Sequence, residues 1–273
     1  MTGRITQLRI DFDIPNELFR NPRTTSNTKF LSDIIDCRIK KDAYDDDNLR
    51  EFFSGYIEHH KLDYLKETFI GENIVKGSTT IEDVEKILSN PQNQRLSLKF
   101  YNMKRAIEKL FPTIIRTEID ITRFTPKFIM DIHKIIGEGV IDDAGQYRKK
   151  FCKPSKVDWV YLYPDLIEKS LEGLCCNVRN AMETEEDILT KIKITSSFVT
   201  NFLHIHPFSN GNGRTARLLA SWLLSTISIV PIPFYSSSAA SKDDFLNCVI
   251  EAQQFSDFIP KDLSLYILEA VQH

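Results

Sequence analysis

His204-Ile205-His206-Pro207-Phe208-Ser209-Asn210-Gly211-Asn212-Gly213-Arg214-Thr215-Ala216-Arg217 is a stretch where one helix must stop and another must start. Pro207 cannot continue a helix smoothly, because it lacks an N–H and its ring meets the preceding turn. Gly211 and Gly213 admit backbone conformations that a Cβ resists, so consecutive N–H groups can turn toward one concavity. A new helix opens at Asn212, and its free N–H groups and positive dipole end point into the same place. Such a place suits phosphate. Arg214 and Arg217, three apart on one side of that helix, add guanidinium forks for a polyphosphate. His206 precedes the anion site and titrates near neutrality, as a general base should. His204 and His206 also invite a metal reading, but no Cys or third His completes such a site.

Working outward, most of the chain has helical patterning. The segment 48–70 is expected to be helical, broken by Gly55 and ending near Gly71. Thr79 with Glu82 reads as a capping box before Val84, Ile87 and Leu88, and Asn90-Pro91 stops that helix. Residues 95–111 repeat Leu98, Tyr101, Ala106, Ile107 and Leu110 at roughly helical spacing. Thr125 caps a helix with Pro126 in its first turn, ending at Gly137. Further helices are expected from Tyr163-Pro164 to about Met182, over 185–204, over 212–228, from Ser241 and Asp244 to Phe255, and from Pro260 onward. Two intervals differ. Leu8, Ile10, Phe12 and Ile14 alternate within 4–14, a short strand signal. Between Arg148 and Pro164, the run FCKPSKVDWVYLY reads as a short hairpin or extended flap turning at Pro154-Ser155. Residues 15–45 are turn-rich, with a short helix near 30–35. The fold class is all-α.

The chain has 273 residues, 42% of them hydrophobic, enough to bury a substantial core. A formal net charge of -3 argues against broad binding to nucleic acid or to an anionic membrane. No apolar run reaches the ~18 residues of a membrane span, and the first residues carry no secretory leader pattern. Cys37, Cys152, Cys175, Cys176 and Cys248 form neither an even disulfide framework nor a C-x-x-C pair. A reducing, cytoplasmic compartment is the expected location.

HPFSNGNGRTAR closely resembles the signature of the Fic (Fic/Doc) family, HPFx[DE]GNGRxxR. Gly145-Gln146-Tyr147-Arg148 is similar to the family's G-x-Y-R stretch before the flap. The resemblance covers about residues 60 to 260. It implies a helical Fic fold with a β-hairpin flap over the site. It also implies transfer of AMP from ATP, with Mg²⁺, to a Ser, Thr or Tyr hydroxyl of a target protein. Carried over by position, His206 takes the target hydroxyl's proton, and Gly211, Asn212 and Gly213 form the anion hole. Arg214 binds the phosphates, Arg217 lies near the γ-phosphate, and Phe208 anchors the loop in the core. The flap aligns the target by strand-like pairing. Residues 61–273 are then the Fic domain, including an inhibitory helix near 61–73. Residues 1–60 form an N-terminal segment packing on the core or extending it. A homodimer is left open.

One position departs from the pattern. Asn210 stands where the family usually has an acidic metal ligand; its amide oxygen can ligate Mg²⁺ but brings no charge. A slower transferase, a changed reaction or nucleotide, and a regulatory module that binds nucleotide without turnover all stay open. Upstream, Thr68-Phe69-Ile70-Gly71-Glu72-Asn73 resembles the family's [ST]xxxE[GN] inhibitory motif. By that resemblance Glu72 pairs with Arg217 and draws it from the γ-phosphate. In some relatives the same glutamate helps water remove AMP from a modified target, so de-AMPylation is an alternative activity. Gly71 replaces an apolar residue that often precedes the glutamate, an exchange expected to loosen the helix.

Overall fold

Ile188–Ile205 (α6) is buried on nearly every face, as a helix at the centre of a bundle must be. Several of its polar residues tolerate burial because they have partners. Thr195 Oγ1 bonds back to the Lys191 carbonyl at 2.8 Å, and the Ser196 and Ser264 hydroxyls meet at 2.5 Å. The computed structural model describes residues 6–14, 47–89, 94–112, 119–154, 160–228, 230–235 and 239–272. Around α6 it sets α1 (Asp47–Gly71), α2 (Ile81–Ser89), α3 (Gln94–Leu110), α4 (Pro126–Gly137) and α5 (Ile167–Glu183). After it come α7 (Asn212–Leu223), α8 (Ala239–Gln254) and α9 (Lys261–Gln272). α5, α7, α8 and α9 pack directly on α6, while α4 bridges α3, α5 and α7. α1 and α2 lie against α3, and α1 also touches α8.

Several helix ends follow from the residues that cap them. The Thr125 hydroxyl accepts from the Phe128 N–H, with Pro126 at the first helical position of α4. Asp187 caps α6 in the same way through the Thr190 N–H. α1 ends in a Schellman arrangement: Ile74 N–H reaches the Phe69 carbonyl and left-handed Asn73 reaches Ile70, both at 2.9 Å. Glu72 is thereby fixed at the last position of that turn.

Other local expectations are corrected. Gly55 does not break α1, which runs through it; its surroundings are open, and one glycine costs a helix only about 1 kcal/mol. The capping box sits one residue later than read, with Thr80 and Asp83 exchanging bonds of 3.2 and 3.1 Å. Residues 7–14 form no strand, although their exposure alternates as anticipated. They lie along α6 instead, with the Arg9 N–H on Ser197 Oγ and the Gln7 carbonyl accepting from Asn201. The short helix read near 30–35 lies outside the described residues. So does the turn of the flap; its described arms, 149–154 and 160–163, form no strand and share one backbone bond, Tyr161 N–H to the Cys152 carbonyl at 3.2 Å. The apolar helical pattern suggests two buried thiols at Cys175 and Cys176; Cys175 is buried, but Cys176 is half-buried.

Candidate active site

The α6–α7 junction brings the expected site residues together. His206 closes the last turn of α6 with its N–H on the Phe202 carbonyl at 2.9 Å, then swings to a left-handed φ of 48°. Its Nδ1 lies 3.2 Å from the Leu203 carbonyl. A carbonyl only accepts, so Nδ1 carries the proton and Nε2 holds the free lone pair. The ring stacks on Tyr161 of the flap at 3.8 Å and 11°, yet keeps part of its surface open. Burial lowers its pKa to about 4, assisted by Arg148 and His204. The imidazole is therefore neutral at physiological pH.

Phe208 is fully buried and stacks face to face on His133 of α4 at 3.7 Å. Asn212 zips the following loop shut from inside: its Oδ1 accepts from the Phe208 N–H at 3.0 Å and its Nδ2 donates to the Phe208 carbonyl at 2.8 Å. Gly211 has φ 80°, and an added Cβ would stand 3.2 Å from both His133 Nε2 and Ile141 Cδ1. Glycine is required there on both counts. His133 pins the turn: its Nδ1 accepts from the Gly145 N–H, and Nε2 donates to the Asn210 carbonyl, each at 2.9 Å. Burial holds His133 near a pKa of about 4, which preserves that tautomer.

The expected anion hole is only partly available. The Gly211 N–H donates to the Asn210 side-chain oxygen at 2.6 Å. The amides of Asn212, Gly213 and Arg214, by contrast, bond no acceptor among the described residues. Beside them Arg214 Nε lies 3.3 Å from Glu72 Oε2, and Arg217 Nη2 donates to Glu72 Oε1 at 2.6 Å. The Glu72 carboxylate thus bridges both arginines at the positive end of α7. Arg217 Nη1 also donates to the Tyr235 hydroxyl at 2.6 Å, and its guanidinium lies 3.8 Å from the Tyr235 ring centroid. Tyr235 occupies the space beside Gly71, where a Cβ would fall 2.2 Å from its Cδ2. Gly71 therefore tightens the α1 end rather than loosening it.

The residues do not fit a resident Mg²⁺. Asn210 Oδ1 is neutral, already accepts from Gly211, and stands 3.5 Å from the Arg214 guanidinium. Among the described residues no His, Cys, Asp or Glu cluster of three could hold a metal ion. Sequence reasoning named Glu72, His206 and the loop but missed Arg148, His133 and Tyr235 as their supports.

The Fic/DOC family profile matches residues 123–224, the span from the turn before α4 to the end of α7. That span is a Fic/DOC domain. The chain's fold is similar to a solved Fic family protein from Desulfovibrio desulfuricans G20, with a TM-score of 0.67 at 16% identity over 93% of this chain and 74% of that one. A probable protein adenylyltransferase of Aquifex aeolicus is 24% identical over 213 residues, 74% of this chain and 60% of that protein. A segment of 139 residues is 26% identical to a protein of Ostreid herpesvirus 1 named ribonucleoside-diphosphate reductase small chain, covering 47% of this chain and 22% of that one. The chain thus spans less than two thirds of either relative's length.

Proposed function

We propose that this Fic protein is a protein adenylyltransferase, moving AMP from ATP to a Ser, Thr or Tyr hydroxyl of a target protein, and that Glu72 inhibits it. The observation that carries the reading is the Glu72 carboxylate lying across Arg214 and Arg217, beside three amides without an acceptor among the described residues. A protein anion occupies surroundings suited to phosphate. The relative named a probable protein adenylyltransferase supports the class of reaction.

In this reading, Glu72 leaves and ATP brings its phosphates to the α7 amides and both arginines. The target hydroxyl attacks the α-phosphorus while Nε2 of His206 takes its proton. A bond forms between that oxygen and the α-phosphorus. The bond from the α-phosphorus to the oxygen leading to the β-phosphate breaks, and pyrophosphate departs. Positioning and charge neutralisation do most of the work. Mg²⁺ enters as part of the ATP substrate, since no cluster of three metal-ligating side chains stands among the described residues and the Asn210 oxygen is neutral. The active unit is the domain 61–273, working in a reducing, cytoplasmic compartment.

The engaged Asn210 oxygen favours a second reading, a regulatory module that binds nucleotide with little turnover. ATP labelled at the α-phosphate or at the γ-phosphate separates the possibilities. Adenylyl transfer by Glu72→Gly puts only the α-label on protein. Protein labelled by γ-labelled ATP refutes the reading, and ATP binding with neither label transferred assigns the chain to the second one.

A further inference from the structure

Four successive carbonyls leave the end of α6, and each is taken by the base of the flap. His204 O accepts from the Leu162 N–H at 3.3 Å and Pro207 O from the Arg148 N–H at 2.9 Å. Between them, Ile205 O accepts from Arg148 Nη2 at 3.2 Å and His206 O from Arg148 Nε at 2.6 Å. The same guanidinium reaches outward to both flap arms, donating from Nη1 to Lys150 O at 2.9 Å and from Nη2 to Leu162 O. Arg148 is 4% exposed, and among the described residues it has no carboxylate partner. A buried cation without a counter-ion is costly unless its fork is used in full, and here carbonyls at the negative end of a helix use it.

We propose that Arg148 is a positioning residue for the adenylyl transfer: one guanidinium holds the left-handed backbone of His206 and both arms of the flap, so base and flap are set as one piece. The inference rests on the reading of His206 as the base. A non-glycine residue keeps a left-handed conformation only where its surroundings over-determine it. At His206 the N–H bond to Phe202 and the Arg148 bond to its carbonyl do so. Lys150 and Leu162 lie one in each described arm, and Tyr161, next to Leu162, carries the ring that stacks on the imidazole. A shift of the guanidinium would therefore move the base and its aromatic cover together. Lysine cannot replace it, because an ammonium does not present a planar fork.

The groups facing His206 are Arg148 and Tyr161 from the flap side and His204 from its own helix, with the Cys152 thiol near Arg148. Of these, Arg148 and His204 both disfavour the imidazolium, after burial itself. A charge-keeping and a charge-removing substitution therefore separate aim from electrostatics.

The test uses Arg148→Lys and Arg148→Gln in the Glu72→Gly background, with calorimetry of ATP binding, turnover, and NMR titration of the His206 ring. Turnover is expected to fall on the order of 100-fold in both, with ATP affinity within about twofold of the parent because the phosphate cradle lies on α7. The His206 midpoint is expected to rise in Arg148→Gln and to change less in Arg148→Lys. Turnover equal to the parent's, or ATP affinity and turnover lost together, overturns the inference. If Arg148→Gln does not fold, Arg148→Lys alone decides by the split between turnover and affinity. If the Glu72→Gly parent transfers no AMP, the proposed function fails, while His206 and Tyr161 ring resonances left at their parental shifts in Arg148→Gln would refute the positioning role separately.

Discussion

Glu72, at the last turn of α1, accepts a hydrogen bond from Arg217 on α7 at 2.6 Å, across 145 positions of sequence. The two side chains are 20% and 4% exposed, so water screens the pair poorly. Removing the carboxylate strands two arginines at the positive end of a helix. Glu72→Gly is expected to lose about 2 kcal/mol of stability without nucleotide and to regain it as ATP fills the place. Thermal unfolding with and without ATP measures this; an unchanged melting temperature in both would count against the pair's role.

Gly71 and Tyr235 form a second contact behind that pair. Gly71→Ala forces a Cβ into the ring and is expected to cost about 1 to 3 kcal/mol. Tyr235→Phe removes only the bond to Arg217 and is expected to cost about 1 kcal/mol. In urea denaturation the double variant should cost less than the sum, because the displaced ring has already left Arg217. Simple additivity would mean that the two positions act independently.

The sequence made the bundle legible because each helix carries its own apolar stripe or cap, and the candidate loop legible because twelve adjacent residues hold its motif. It misled where local patterns lacked a partner. Alternation at Leu8, Ile10, Phe12 and Ile14 described which side chains turn inward, but among the described residues no strand pairs with that segment. Gly55 was read as a break although an exposed glycine only weakens a helix. Arg148, His133 and Tyr235 escaped because their roles depend on residues 14 to 77 positions away. Two signals were present: a lone histidine on the apolar side of α4, and a glycine where an apolar residue was expected.

Burial holds His133, His204 and His206 near a pKa of about 4, below the ordinary 6.5. Between those values the unfolded chain binds protons that the folded chain refuses. Stability is therefore full above pH 6.5 and falls as pH drops toward 4, by up to about 1.4 kcal/mol per pH unit for each group. Urea midpoints from pH 7.5 to 5 should decline, and His133→Gln should flatten the decline. A pH-independent midpoint would contradict the neutral, buried assignment.

Asn210→Asp keeps an acceptor for the Gly211 N–H and adds charge where the divalent ion of Mg·ATP would approach. In the Glu72→Gly background, calorimetric ATP affinity should depend more steeply on Mg²⁺ concentration than with Asn210. An identical dependence would mean that position 210 does not meet the ion.

The most direct test is the intact mass of the protein and of candidate targets after incubation with ATP and Mg²⁺. Glu72→Gly is predicted to place one adenylate on protein hydroxyls, wild type far less, and Glu72→Gly with His206→Ala none. A Glu72→Gly protein that binds ATP yet yields no adenylate adduct on any candidate target, or an adduct that persists without His206, would contradict the account.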